Sequence, residues 1–337
     1  MLAYIIRRLF IGVIMLLVMS MVTFVLFFST GNPASRACGK NCSLAQIEQT
    51  KKSLGYDKPL VTQWTDFLVG IANGRQFPDD EKLRERNPEQ VVDCARPCLG
   101  YSVVNVQTVN EEIKESFPVS LSLALIALIM WVTGGVLLGV TAAVFKGSII
   151  DRGVVGFSLI FYAFPTFFIG VFLLKFLAIK WGLTPVPSYT PIAEAGVFTW
   201  LNNLLLPALT LALVYMAGYV RITRAFVLES MSEDYVRTAR AKGLSRRKVT
   251  VSHVLRNALL PVVTILGVQM GTVLAGSVVI ESVFSWPGVG SLLFDSVSSR
   301  NYPVVLGIMV LGSLVVIAAN IAVDLVYMWL DPRIEIR

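Results

Sequence analysis

The feature that most limits what this chain can fold into is the placement of its charges: six stretches of 22 to 30 residues contain no Asp, Glu, Lys or Arg. They are residues 9–35, 116–145, 153–174, 195–220, 257–280 and 301–323. A helix rises about 1.5 Å per residue, so roughly 20 apolar residues cross a hydrocarbon core about 30 Å thick. Each run is long enough, and together they predict an all-α integral membrane protein with six transmembrane helices. The runs do not alternate polar and apolar residues, which excludes barrel strands. Composition agrees, since 15% of the 337 residues are charged against about 25% in a soluble domain.

Lys and Arg gather in cytoplasmic loops, so Arg7 and Arg8 ahead of the first run place the amino terminus inside. That run is longer than the roughly 7–15 apolar residues of a signal peptide and reads as a retained anchor. Residues 30–115 then lie outside and 229–256 inside. The inner loop carries seven basic and three acidic residues, a net of +4, while the outer segment carries 11 basic and 12 acidic. An even number of spans returns the carboxyl end, with Arg333 and Arg337, to the cytoplasm. The overall charge of +7 is thus a topology signal and does not call for a nucleic-acid partner.

Cys38, Cys42, Cys94 and Cys98 are the only cysteines, and all fall in the outer segment. Two disulfides suit an oxidising compartment, with three pairings possible, and a four-thiolate zinc site is the alternative. Residues 44–54 and 59–71 read as short helices, with Trp64, Phe67 and Leu68 available for a small core. Residues 76–90, charged and holding Pro78 and Pro88, read as an exposed irregular loop. The expected domains are an N-terminal transmembrane helix (1–29), a crosslinked extracellular insert (30–115) and a membrane core with five helices (116–337).

His253 is the single histidine, and no HExxH, GxSxG or GxxxxGK[ST] occurs, so no catalytic or nucleotide-binding set is evident. Any energy from ATP must come from a partner. Charges inside spans are costly. Lys175, Lys180, Arg221 and Arg224 sit at span ends, where their stems can reach the interface. Asp324, four residues after Asn320, is the one acid in the last apolar stretch and reads as a helix–helix contact near the inner interface, with a gating role as the alternative. Gly134, Gly135, Gly139, Gly267 and Gly271 have spacing for close helix packing, and Pro165 and Pro207 are expected to kink or start their spans.

The most informative stretch is SEDYVRTARAKGLSRRKVTVSHVLRNALLP, residues 232–261. Ser232 can cap a helix of about 11 residues with Glu233 and Asp234 in its first turn, and Gly243 can end it. Tyr235, Val236 and Ala239 share one side, with Arg237 and Arg240 on the other. Ser245 can cap a second helix. A short protruding helix of this kind suits a groove on a soluble partner; a locally helical positive-inside loop is the alternative.

This loop resembles the cytoplasmic loop of binding-protein-dependent ABC importer permeases, whose Glu-Ala-Ala motif ends in glycine. Ala239 and Gly243 match that motif, while Arg237 and Thr238 replace its first two residues. The longer form, ARAKGLSRRKV followed by HVLRNALLPVVT, resembles the oligopeptide and dipeptide branch. SLSLALIALIMWVTGGVLLGVTAA from Ser120, FPTFFIG from Phe164, VVIESVFSWPGVGSLL from Val278, RNYPVV from Arg300 and NIAVDLVYMWLDPR from Asn320 are similar to the first permease subunit of peptide (and nickel) importers. The external insert is longer than usual there, and its cysteines are not part of the family pattern.

The resemblance implies a type I importer permease in a bacterial inner membrane, multi-pass, translocating oligopeptides or dipeptides. Its implied partners are a second homologous permease, two cytoplasmic ATPase subunits or domains that hold the ATP and magnesium, and an extracellular substrate-binding protein. This chain itself needs no cofactor. The same likeness implies an ATPase contact through Asp234, Tyr235, Ala239, Lys242 and Gly243. It also implies an external re-entrant turn of Glu281, Trp286, Pro287 and Gly288 at the pathway mouth. Nickel or glutathione cargo is the alternative within the same architecture, and a non-transporting membrane receptor or assembly factor the alternative from another class.

Overall fold

The computed structural model of the chain describes residues 2–29, 34 and 42–330. It divides into two compact units, Met1–Pro118 with Ser291–Ile317, and Val119–Gly290 with Ala318–Arg337.

In the first unit, α1 (Leu2–Ser29) begins early enough to include Arg7. The outer segment opens with α2 (Leu44–Ser53), where the Ser43 side chain accepts from the Gln46 N–H and Gln46 Oε1 accepts from the Ser43 N–H, a reciprocal cap. Helix α3 (Leu60–Asn73) buries Phe67. Phe67 lies 5.6 Å from Phe24 of α1, and Trp64 and Leu68 pack on the same cluster with Leu306. The Trp64 indole N–H donates to Ser20 Oγ at 3.1 Å. The expected small core of the insert exists, and it is shared with the first span.

Residues 76–90 differ from the irregular loop expected. Strand β1 (Arg75–Phe77) pairs antiparallel with β2 (Val92–Cys94), and between them lie α4 (Glu81–Arg86) and a 3-10 turn at Pro88–Gln90. The segment is exposed as expected at Glu81, Lys82, Glu85, Arg86 and Glu89, while Asp79 is tied inward. Asp79 accepts from Arg75 at 2.7 Å and sits 2.6 Å from Lys58, which also reaches Asp66 at 2.7 Å. Pro88 occupies the first position of the 3-10 turn, where no N–H is needed. A second ribbon joins β3 (Tyr101–Ser102) to β4 (Gln107–Thr108). Cys94 is bonded to Cys98 and Cys42 is also in a disulfide, so the four-thiolate zinc arrangement is not formed. Cys38 lies outside the described residues.

Helix α5 (Val109–Val144) leads into the second unit. There follow α6 (Ile149–Ala163), α7 (Thr166–Leu173) with a π-helical extension at Leu174–Lys180, and α8 (Ile192–Ser232). Next come α9 (Asp234–Ala241) and α10 (Arg246–Val249), then a π-turn at Thr250–Val254 that enters α11 (Leu255–Val283). The chain continues with α12 (Val289–Ser299) and α13 (Tyr302–Leu330).

Among the described residues four helical segments are long and apolar enough to cross a membrane: Val109–Val144, Ile192–Ser232, Arg246–Gly267 and Tyr302–Val323. Phe10–Leu26 of α1 is a shorter apolar stretch, and α6 with α7 forms a pair bent by 105°. The run at 153–174 is therefore broken, not straight. Pro165 disfavours helical backbone in the residue before it, and Phe164 is extended at φ −91, ψ 140. Pro207, by contrast, sits buried inside α8, which bends instead at Gly196 with φ 74.

Helices α5 and α8 meet closely because Gly139 has no side chain: a Cβ there would lie 2.7 Å from Thr223 Cβ and 2.8 Å from the Val220 carbonyl. Gly267 is likewise fitted against Val323. The surroundings of Gly271 and the side chain of Asp324 lie outside the described residues.

Candidate functional site

The loop at 229–256 is built as two helices hung from the end of α8. Ser232 is not the cap expected of it, because α8 continues through it and its hydroxyl donates back to the Glu229 carbonyl at 2.7 Å. Glu233, extended at φ −69, ψ 151, turns the corner, and α9 spans eight residues, about 12 Å. Asp234 stands at the positive end of the helix dipole and pairs with Arg237 at 3.3 Å, a pair exposed enough to contribute little. Gly243 ends the helix in the left-handed conformation, φ +77, with the Leu244 N–H on the Ala239 carbonyl at 3.3 Å. Ser245 caps α10 by accepting from the Lys248 N–H.

The faces of α9 divide as the spacing suggests, Tyr235, Val236 and Ala239 inward and Arg237 and Arg240 outward. Val236 and Ala239, three residues apart, are buried against Val227, Val249, Val254 and Ala258 of the same chain. Tyr235 is half-buried, and its hydroxyl is 2.5 Å from Ser230 Oγ, which donates to the Val254 carbonyl at 3.3 Å. The small face therefore meets the chain's own apolar surface, with Ala239 buried and Tyr235 partly buried in it. Asp234, Arg237, Thr238, Arg240, Lys242 and Gly243 form the exposed face.

Two further ties lie beside it. The Arg246 guanidinium donates to the Val144 carbonyl at the end of α5, at 2.7 Å. Arg224 forms a bidentate pair with the buried Asp151, Nε to Oδ1 at 2.7 Å and Nη2 to Oδ2 at 2.8 Å. Arg224 thus does not simply reach for the interface, and Asp151, 73 residues away, carried no sequence signal of this role. Arg221 stacks over Tyr162 at 4.0 Å, and Lys175 and Lys180 lie over Phe176 at 5.9 and 5.5 Å.

The turn between α11 and α12 is held from within. Glu281 is fully buried and accepts from Ser120 Oγ at 2.6 Å; the same Ser120 oxygen accepts from the Val289 N–H at 2.8 Å. Trp286 is buried edge-on to Tyr189 at 5.5 Å, and its backbone N–H donates to the Glu281 carbonyl at 2.7 Å. A Cβ at Gly288 would overlap the Glu281 carboxylate. Of the four residues expected at the mouth, Pro287 alone is exposed; Glu281, Trp286 and Gly288 shape the turn from inside. Among the described residues no group of three or more His, Cys, Asp or Glu side chains is placed to hold a metal.

Residues 135–336 match the family model described as "Binding-protein-dependent transport system inner membrane component", and residues 1–124 match the one for the N-terminal part of such membrane components. The chain belongs to this family. It is 34% identical over 359 residues to the dipeptide transport system permease protein DppB of Escherichia coli (strain K12), with 99% of each chain covered. It is 36% identical over 339 residues to the glutathione transport system permease protein GsiC of Pectobacterium atrosepticum, with 100% of each covered. In fold it is similar to the MetNI methionine ABC transporter in an inward-facing conformation, with a TM-score of 0.51 at 16% identity, covering 66% of this chain and 97% of that one.

As a binding-protein-dependent permease, the chain is a multi-pass membrane transport subunit of the type I importer fold and not an enzyme. It works with a separate ATPase subunit and an external binding protein, and the reading as a non-transporting receptor or assembly factor is set aside. The outer segment lies within the part matched by the N-terminal family model.

Proposed function

We propose that this permease is one of two homologous membrane subunits of an ATP-driven importer of dipeptides or oligopeptides in a bacterial inner membrane, with both termini in the cytoplasm. The observation that carries the reading is the build of α9: its apolar face is bound into its own chain while a basic, glycine-ended face is left to solvent. A rigidly held surface of that kind suits a complementary groove on a soluble ATPase. Asp234, Lys242 and Gly243 make the contact with one of two ATPase subunits or domains, which hold the ATP and magnesium. Tyr235 and Ala239 hold the helix to the spans. At the outer end Glu281, Trp286 and Gly288 keep the mouth turn in shape and Pro287 lies at its surface. The insert, carrying Cys38, Cys42, Cys94 and Cys98, forms the outer cap.

Peptide cargo is supported by the dipeptide permease relative. The spans hold few charges to pair with peptide termini, which suits a permissive cavity with selectivity in the binding protein. Nickel is disfavoured by a single histidine and by the lack of cysteine in the spans. Glutathione is the second reading, favoured by the GsiC relative.

Reconstitution of the whole complex in liposomes tests this. A binding protein loaded with a dipeptide raises ATP hydrolysis, and Gly243→Trp abolishes that rise. If hydrolysis ignores both the loaded binding protein and Gly243→Trp, the importer reading fails; stimulation by a glutathione-loaded but not a peptide-loaded binding protein establishes the second reading.

A further inference from the structure

The geometry points to Ser230 and Tyr235 as positioning residues that lock the angle between α8 and α9, so that a push on α9 reaches α8 and α11 together. The inference rests on α9 being the ATPase contact.

One extended residue, Glu233, joins the two helices, and a single such residue leaves the corner free to swing about its own dihedrals. The apolar seat of Val236 and Ala239 resists lifting of α9, but hydrophobic contact is non-directional and sets no angle. Direction comes from hydrogen bonds. Ser230 has one hydroxyl hydrogen, which it gives to the Val254 carbonyl, so in the 2.5 Å contact the Tyr235 hydroxyl is the donor and Ser230 Oγ the acceptor.

The relay therefore joins three elements at one point: α9 through Tyr235, the end of α8 through Ser230, and the entry to α11 through Val254. Ser230 is 7% exposed, so water does not readily replace either bond. Val254 is the last residue of the π-turn at Thr250–Val254, a local widening of the helix of the kind often found at functional sites. The neighbouring ties, Arg224 to Asp151 and Arg246 to Val144, fasten the ends of α6 and α5 beside the same loop.

The test uses the reconstituted complex with its loaded binding protein. Tyr235→Phe keeps the ring and its packing but removes the donor; Ser230→Ala removes the acceptor and with it the bond to the Val254 carbonyl. Each is expected to leave complex recovery, basal ATP hydrolysis and the KM for ATP unchanged while peptide moved per ATP falls, about fivefold for Tyr235→Phe, the worth of one hydrogen bond, and further for Ser230→Ala, which loses two. The double variant falls no further than Ser230→Ala alone, and Ser230→Thr keeps coupling. A merely structural role lowers recovery and basal hydrolysis in step with transport, and that result overturns the inference. Full transport per ATP in both single variants, with Gly243→Trp still inactive, also overturns it and leaves the docking reading intact. If Gly243→Trp has no effect either, the docking reading falls and this inference with it.

Discussion

The Ser120 hydroxyl stands between a buried carboxylate and a backbone N–H, giving to Glu281 and taking from Val289. Ser120→Ala removes both bonds inside a site with no exposed surface at Glu281, and an unmet buried polar group costs about 1–3 kcal/mol. The thermal midpoint of the purified complex should fall for Ser120→Ala and stay closer to the native value for Ser120→Thr. Equal midpoints for the two variants contradict the role given to this hydroxyl. At this scale the sequence was readable where chemistry is local. Gly243 and Ser245 end and start helices as expected because their partners lie within four residues. Ser232 misled, since its preference for a cap yielded to the continuation of α8. Ala239 marks another limit: periodicity shows which residues share a face, but not which surface covers it. The pairing of Asp151 with Arg224 was illegible because its partners are brought together only by helix packing.

At the scale of elements, the insert shows why a charged, proline-bearing segment need not be a loop. Burial works against charge on Asp79, yet hydrogen bonds from Lys58 and Arg75 outweigh it and hold the carboxyl below its usual range. Burial likewise opposes charge on Lys58, and Asp66 and Asp79 outweigh it and hold the ammonium above the usual lysine range. A lowered carboxyl stabilises the fold above its unfolded value of about 4 and loses that contribution as pH falls through the folded value. A raised lysine stabilises below about 10.4 and loses its contribution as pH rises through the folded value. The insert is therefore expected to hold through neutral pH and to loosen below about pH 4 and above about pH 10.4. Hydrogen exchange of the α2 and α3 amides checks this. Asp79→Asn should lower protection at pH 7 and flatten the acid limb, and unchanged protection at pH 7 would mean these ion pairs do not hold the insert. The bend between α6 and α7 is the other element only half legible: Pro165 marks its place, while its 105° angle follows from packing.

For the molecule as a whole, the charge-free runs were enough to give a helical multi-span membrane protein, because lipid allows few ways to satisfy a backbone, and the resemblance of its motifs placed it among binding-protein-dependent permeases. The joining of α1, the insert and residues 291–317 into one unit was not legible, since it depends on contacts such as Phe24 with Phe67 and Leu306 that no local pattern encodes. Orientation is a property of the entire chain and follows from where basic residues concentrate. The described residues include no free cysteine, so new thiols are read against the labelling of the unsubstituted chain. Glu85, exposed on α4, and Lys248, exposed on α10, serve as opposite sensors. In intact spheroplasts a membrane-impermeant maleimide should label Glu85→Cys at once and Lys248→Cys only after the membrane is permeabilised. The reverse pattern puts the basic loop outside, where no ATP-hydrolysing partner can reach α9. Labelling of both before permeabilisation puts an even number of spans between them in place of the three expected, and breaks the six-span topology that returns the carboxyl end to the amino-terminal side.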